Sequence, residues 1–179
     1  MALAAQGYAD ILHRAFQARG LPAGLVGILA AFLTAGQASA LSCMKVEAAD
    51  AYAAAAASES EYVVALGTVG FDSDALPSTL EADAEPPVEV PVEVSGHMLT
   101  GSGFDAALDD TVRARVTCAG PWCGTLENGA THLMFLEKTP EGLMLDLTPC
   151  PEKVFANPGE AVLEAIAACF AKGAACDRP

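Results

Sequence analysis

Basic residues are scarce in this sequence. Nine Lys and Arg stand against 23 Asp and Glu over 179 residues, so the formal net charge is −14. The first 40 residues carry Arg14, Arg19 and Asp10, a net charge of +1, and the rest of the chain therefore carries −15. Such an acidic surface repels phosphate groups. We expect no nucleic-acid partner, and no membrane partner apart from the leader described below.

Patterns that hold metals or carry out catalysis are also missing. There is no Cys-x-x-Cys pair, and after residue 40 the only histidines are His97 and His132, so a structural zinc site is not expected. His132 lies in a predicted strand on the same face as Met134 and Leu136, which favours a buried histidine over a catalytic base. The abundant loop carboxylates lack the spacing of a calcium loop and are interpreted as solvated acids. These are Asp72, Asp74, Asp109 and Asp110. We predict no catalytic residue, no cofactor and no metal.

Long hydrophobic runs are limited to one, Leu21 to Leu33, which is shorter than the ~20 residues that cross a bilayer. Arg14 and Arg19 precede it. The small residues Ala38 and Ala40 follow it at the positions that signal peptidase recognises. Residues 1–40 are therefore predicted to be a cleavable signal peptide, with an uncleaved anchor as the alternative. Cleavage before Leu41 leaves a domain of residues 41–179, periplasmic or secreted and large enough for a modest core.

The segment Ala40-Leu41-Ser42-Cys43 offers a second interpretation of this region. It loosely matches a lipoprotein box, in which the cysteine becomes acylated, although the leucine is one position late. Acylation of Cys43 would leave five cysteines for disulfides. A lipid anchor at Cys43 is therefore the alternative localisation.

All six cysteines follow the leader. They are Cys43, Cys118, Cys123, Cys150, Cys169 and Cys176. An even number in an exported domain predicts up to three disulfides, with fifteen pairings open. Pro121-Trp122-Cys123-Gly124 looks like a thioredoxin-type site, but Leu126 stands where the second thiol would be needed.

Strands dominate the predicted elements of the mature chain. Residues 46–57 favour a short helix, and residues 62–69 a buried strand. Residues 88–94 alternate strictly between valine and polar residues, with Pro91 indicating an edge or a bulge. Alternation continues at residues 112–116. Residues 131–137 and 143–147 predict a hairpin.

The last predicted element is a helix. Asn157, Pro158 and Glu160 fit its N-cap, first and third positions, and Gly173 ends it. Its apolar face consists of Val162, Ile166, Cys169 and Phe170. Five strands with a helix on either side predict a mostly β domain. The expected architecture is a small five-stranded OB-like barrel with a short N-terminal helix and a C-terminal helix.

The order of these motifs resembles the netrin-like family, whose best-known members are the tissue inhibitors of metalloproteinases. The matching residues are Cys43, Leu66-Gly67-Thr68-Val69, Cys123-Gly124, Gly129-Ala130-Thr131-His132-Leu133-Met134-Phe135 and Leu147-Thr148-Pro149-Cys150. The resemblance covers roughly residues 41–170 and implies an OB fold.

In these inhibitors the mature chain begins Cys-x-Cys, and the amino group and carbonyl of the first cysteine chelate the protease zinc. Leu41 stands in that first place here, and Cys43 in the third. The resemblance then implies the disulfides Cys43–Cys150, Cys118–Cys123 and Cys169–Cys176. It also implies partner binding by Leu41, Ser42 and Cys43.

Trp122 is the only tryptophan, and it lies in a short loop between Pro121 and Cys123. We interpret it either as an aromatic anchor for a partner or as a side chain that packs over the Cys118–Cys123 bridge. The expected function is an exported, disulfide-stapled binding module for an unknown protein partner, with a protease among the candidates. The alternatives are a metalloprotease inhibitor that acts through its mature N-terminus and an envelope enzyme.

Overall fold

A computed structural model of the chain describes residues 41–77 and 87–173. The predicted signal peptide, its cleavage-site residues Ala38 and Ala40, and Cys176 lie outside this range. The described elements are α1 Ala48–Ala56, β1 Tyr62–Gly70, a 3-10 turn Ser73–Ala75, β2 Val88–Thr100, β3 Gly103–Val116, β4 Cys118–Ala119, β5 Trp122–Cys123, β6 Thr131–Thr139, β7 Gly142–Leu147, β8 Val154–Ala156 and α2 Glu160–Ala171. The fold is mostly β, with helices that flank the sheet.

Six strands form one sheet in the order β1-β2-β3-β7-β6-β8, and β1 also pairs with β6. The β3–β7 pair is parallel, and the other pairs are antiparallel. β4 and β5 form a separate two-stranded ribbon in which Cys118 lies opposite Cys123. Five long strands therefore carry the main sheet, as the sequence predicts, and three short strands were not predicted.

Both faces of the central strand β6 are buried, from His132 to Leu136. Met134 and Leu136 belong to an inner cluster with the alternating valines of β2 and β3. Leu133 and Phe135 point the other way, into a cluster with α1 and Ile166 of α2. The two helices thus cover the outer face of β6, because a strand with apolar side chains on both faces needs a partner layer on each side.

Two glycines let β1 and β2 approach closely. Gly67 lies directly opposite Gly96 in the antiparallel pair. A Cβ atom on Gly96 would overlap the backbone of Leu66 and Gly67. Any larger residue at Gly96 would push the two strands apart.

Several predicted elements are confirmed. The helix predicted over 46–57, the strand over 62–69 and the hairpin over 131–147 all form. Pro91 has a β3 partner, Arg113, whereas the described β1–β2 pairing begins at Glu93. Pro91 therefore lies where the strand has a neighbour on one side only, as its missing N–H predicts.

The strands around residues 88–116 are longer than predicted. They continue through residues 95–111 and meet in a hairpin whose turn is Gly101 and Ser102. The strict alternation of valines ends at Val94, so the pattern could not reveal the second half of the hairpin. Gly103 adopts a φ of 113°, which permits the tight reversal.

The predicted start of the C-terminal helix is wrong. Its N-cap is Gly159 rather than Asn157, and Asn157 adopts the left-handed conformation with a φ of 47°. The Asn157 N–H donates to the carbonyl of Thr131, so contact with β6 decides its conformation. On the predicted apolar face Ile166 and Cys169 are buried, but Phe170 is 38% exposed.

Candidate functional site

Two disulfides hold the candidate site. Cys43 is bonded to Cys150, with 5.3 Å between their Cα atoms, and Cys118 is bonded to Cys123 across the β4–β5 ribbon. Both are pairs that the resemblance implies. Cys169 is also disulfide-bonded, and the residue predicted as its partner, Cys176, lies outside the described range.

The end of β7 holds both bridged segments. The Thr117 N–H donates to the carbonyl of Leu147, and the Gly124 N–H donates to the carbonyl of Thr117, both at 2.9 Å. A Cβ atom on Gly124 would overlap the Leu147 carbonyl, so only glycine fits where the ribbon passes β7. Three residues further along, Cys150 tethers Cys43.

Residues 41–45, which we call the N-terminal arm, are exposed and lie outside any helix or strand. Leu41 is 38% exposed and Met44 is 89% exposed. No hydrogen bond from another described residue reaches the backbone of the arm. The Cys43–Cys150 bridge therefore holds the arm to the domain, and among the described residues nothing else hydrogen-bonds its backbone.

Two segments that carry predicted contact residues are attached near the C-terminal end of β7. Leu41 and Ser42 flank Cys43 on the arm, and Trp122 lies on the ribbon, so both segments are fastened within residues 147–150. Met44 joins this set and was missed by sequence reasoning. The sequence could have indicated Met44, because it is an apolar residue that follows a cysteine predicted to be disulfide-bonded and precedes the predicted helix.

Trp122 is half-buried and pairs with Ala119 in the ribbon. Gly120 at the ribbon turn has a φ of 57°, and a Cβ atom there would lie 3.7 Å from the Trp122 ring. The ring therefore lies against the turn of its own ribbon.

His97 and His132 lie on opposite faces of the sheet. Leu66 is paired with His97, and the next residue, Gly67, is paired with His132. His97 is exposed, whereas His132 is 1% exposed, and its Nδ1 lies 3.1 Å from the carbonyl oxygen of Ala130. Burial lowers the pKa of His132, although the Ala130 contact acts in the other direction. His132 is a core residue with its hydrogen bond made, as the sequence predicts.

The loop and strand carboxylates predicted to be solvated are exposed. Within residues 41–77 and 87–173, no group of three His, Cys, Asp or Glu side chains could hold a metal ion. The exposed set comprises Asp72, Asp74, Asp109 and Asp110. The loop predicted for Asp109 and Asp110 is wrong, because both lie within β3.

An ion cluster that the sequence did not predict holds the segment after Cys150 against the sheet. Asp146 accepts from Arg115 at 2.6 Å and from Lys153 at 3.0 Å, and Lys153 also donates to the Tyr62 hydroxyl at 2.7 Å. Burial alone would lower the pKa of Lys153, but its contacts with Tyr62 and Asp146 raise it overall. This cluster fixes the β7–β8 connection that carries Cys150.

A cavity of about 600 Å³ lies elsewhere, beside the C-terminal part of α1 and the start of β1. Tyr52, Leu99 and Phe170 form part of its apolar wall, and the Glu61–Lys138 ion pair lies at its edge. It contains none of the residues that the sequence nominates for binding.

In the part of the chain that the structure describes, no helix is long and apolar enough to cross a membrane. No family model, curated protein or solved structure matches the chain.

Proposed function

We propose that this chain is an exported protein-binding module whose N-terminal arm contacts a protein partner, with Trp122, on the ribbon that is hydrogen-bonded at Leu147, as a second contact. The observation that carries the proposal is the arm itself. Two large apolar side chains, Leu41 and Met44, are exposed on a segment fastened by the Cys43–Cys150 bridge. Apolar side chains next to a covalent tether lose less conformational freedom on binding than those on a free terminus.

We propose further that the five long strands form a closed OB-type barrel. In support, β1 pairs with both β2 and β6, so the pairings β1-β2-β3-β7-β6 return to β1. The parallel β3–β7 pair and the inner cluster of valines, leucines and Met134 fit the same architecture. The arm and the ribbon would then share one rim of this barrel.

Export is part of the proposal. Disulfides persist in oxidising compartments such as the periplasm or the extracellular space. The Cys43 sulfur is used in the bridge with Cys150, and the same atom would be needed for lipidation. Mass spectrometry of the exported protein should therefore show Leu41 at the N-terminus and no acyl group. An acylated Cys43 at the N-terminus would contradict both soluble export and the bridge.

Site-specific photocross-linking tests the binding function. A photoreactive phenylalanine analogue replaces Met44 in the full chain, which is then exported by living cells and irradiated. The matched control carries the analogue at Ser102, an exposed turn residue at the end of the β2–β3 hairpin. We expect one discrete protein adduct from position 44 and none of the same mass from position 102.

Removal of the Cys43–Cys150 bridge distinguishes a specific contact from non-specific hydrophobic association. The double variant Cys43→Ser/Cys150→Ser keeps the apolar arm but releases it from the domain. The position 44 adduct should weaken roughly tenfold if the tether pre-organises the arm. An adduct of undiminished yield, or identical adducts from both positions, would contradict the proposal.

A metalloprotease inhibitor remains a second candidate, favoured by the pairing of Cys43 with the cysteine that follows the hairpin. Leu41 then precedes a bridged residue, and its amino group and carbonyl are free to approach a zinc ion. However, Cys123 is bonded to Cys118, and Leu41 has no thiol with which to form a disulfide. No cross-link therefore fixes the residue that would chelate the zinc ion. Titration of the mature domain against a panel of zinc proteases tests this candidate, with a variant that carries one extra N-terminal alanine as the control.

A further inference from the structure

Strand β3 has one covered edge and one edge that is partly open. β2 pairs with it along its length, from Gly103 to Val116. On the other side β7 pairs with it only from Arg113 to Val116. Among the described strands, none lies beside residues 106–112 on that side.

The backbone groups that face this open edge can be identified. The Thr117 N–H donates to the Leu147 carbonyl of β7, so odd-numbered residues here face away from β2. The β2–β3 register is unbroken from Ala106 to Val116, which extends the alternation back to Ala107 and Asp109. Thr111 fits this alternation, because its N–H donates to the Asp110 carboxylate at 2.8 Å rather than to β2. The N–H groups of Ala107 and Asp109 therefore point to the side of β3 on which no described strand lies.

The core holds this edge in place. Leu108 and Val112 are buried in the inner cluster, whereas Ala107, Asp109 and Thr111 are exposed. The register shift opposite Met98 and Leu99 places an extra residue, Asp105, on β3 at one end of the open stretch, and β7 closes the other end. The gap accommodates an added strand of about five residues.

Charge decides which kind of strand fits. Asp109 and Asp110 lie on the edge, and Glu93 of β2 is the partner of Thr111. The first basic side chain along β3 is Arg113, which already pairs with Glu89 and Glu141. Two copies of this edge would bring Asp109 and Asp110 of both chains together, and such like charges oppose pairing. A strand that alternates basic and apolar residues would complement the edge.

We propose that the open edge of β3, residues 107–111, binds an extended basic segment of a protein partner by β-strand addition. The main-chain groups of Ala107 and Asp109 supply the hydrogen bonds, and Asp109, Asp110 and Glu93 select the charge. This surface belongs to the β2–β3 hairpin rather than to the N-terminal arm, so it stands independently of the function proposed for the arm.

Amide hydrogen exchange on the full chain, measured by NMR, tests the proposal. The probe is an acetylated heptapeptide that alternates lysine and valine, and the matched control alternates glutamate and valine. With the basic peptide, exchange at Ala107 and Asp109 should slow roughly tenfold or more. The amides of Leu108 and Asp110 face β2 and should not change. The acidic peptide should protect none of them.

Two variants define the contact. Ala107→Pro removes an outward N–H that β2 does not use and should abolish protection at Asp109. Asp109→Asn/Asp110→Asn leaves the backbone intact and should weaken binding roughly tenfold, with less dependence on salt. Absence of protection in the wild type, or binding that survives Ala107→Pro unchanged, would overturn the proposal. If Ala107→Pro does not fold, the wild-type exchange data and the Asn variant decide the matter.

Discussion

Gly124 lies where the ribbon passes the end of β7, against the Leu147 carbonyl. Gly124→Ala would force a methyl group into that carbonyl, and we expect a loss of roughly 2–3 kcal/mol in the free energy of unfolding. Gly101→Ala is the control, since no atom lies within 4 Å of a Cβ at that position. Urea denaturation of both variants without reductant provides the measurement. Equal stability of the two would contradict the packing described for the ribbon.

His132 makes stability depend on pH. Burial lowers its pKa below the ordinary value, so the unfolded chain binds more protons than the folded chain as the pH falls through about 6.5. The free energy of unfolding should therefore decrease as the pH falls from about 7.5 to 5.5, by at most about 1.4 kcal/mol per pH unit.

The variant His132→Leu should lose this part of the pH dependence, and His97→Leu, on the exposed face of β2, controls for the loss of an imidazole. Urea denaturation at the two pH values is the measurement. An unchanged pH dependence in His132→Leu would assign the effect to another group.

At the scale of elements, the open edge of β3 is protected by its own charges. Asp109→Val/Asp110→Val would remove that protection and leave an exposed strand with β-branched residues. We expect the variant to self-associate, because unpaired edge groups pair readily with a second copy. Sedimentation velocity compares it with Glu152→Val, an exposed change outside the strands. A monomeric double variant would show that other features block the edge.

The elements also show how far sequence patterns reach. The alternation at residues 88–94 identified β2 because one face meets the core and the other meets water. At residues 95–111 the alternation stops, because glycine, small residues and aspartate give no regular difference in polarity between the two faces of the strand. At Asn157 the local capping rule failed because a hydrogen bond to Thr131, distant in sequence, decides the backbone conformation.

At the scale of the whole molecule, the two described disulfides should contribute unequally. Cys43–Cys150 spans 107 residues and Cys118–Cys123 spans five. In the chain-entropy model, Cys43→Ser/Cys150→Ser should cost about 4–5 kcal/mol and Cys118→Ser/Cys123→Ser about 2 kcal/mol. Urea denaturation of both double variants measures the difference. The reverse order would indicate that the ribbon supports the core more than the arm does.

Several features of the candidate site could be inferred from the sequence. Cys43, Cys150 and the Cys123-Gly124 pair were recognisable because cysteine and glycine have few structural substitutes. Met44 and the Asp146 ion cluster could not be singled out in this way. The exposure of a methionine depends on which strands meet in space, and so does the convergence of Arg115 and Lys153 on the Asp146 carboxylate, with the Tyr62 hydroxyl accepting from Lys153.

The sequence alone determined the acidity of the chain, the strand-rich class and the six cysteines after residue 40, because composition and periodicity are properties of the chain itself. Only the tertiary structure decided that the arm and the ribbon share the end of β7 and that β3 keeps an open edge. Both depend on pairings between segments far apart in sequence. Local sequence patterns cannot predict such pairings, because hydrogen bonds and burial between distant strands exist only once the chain has folded.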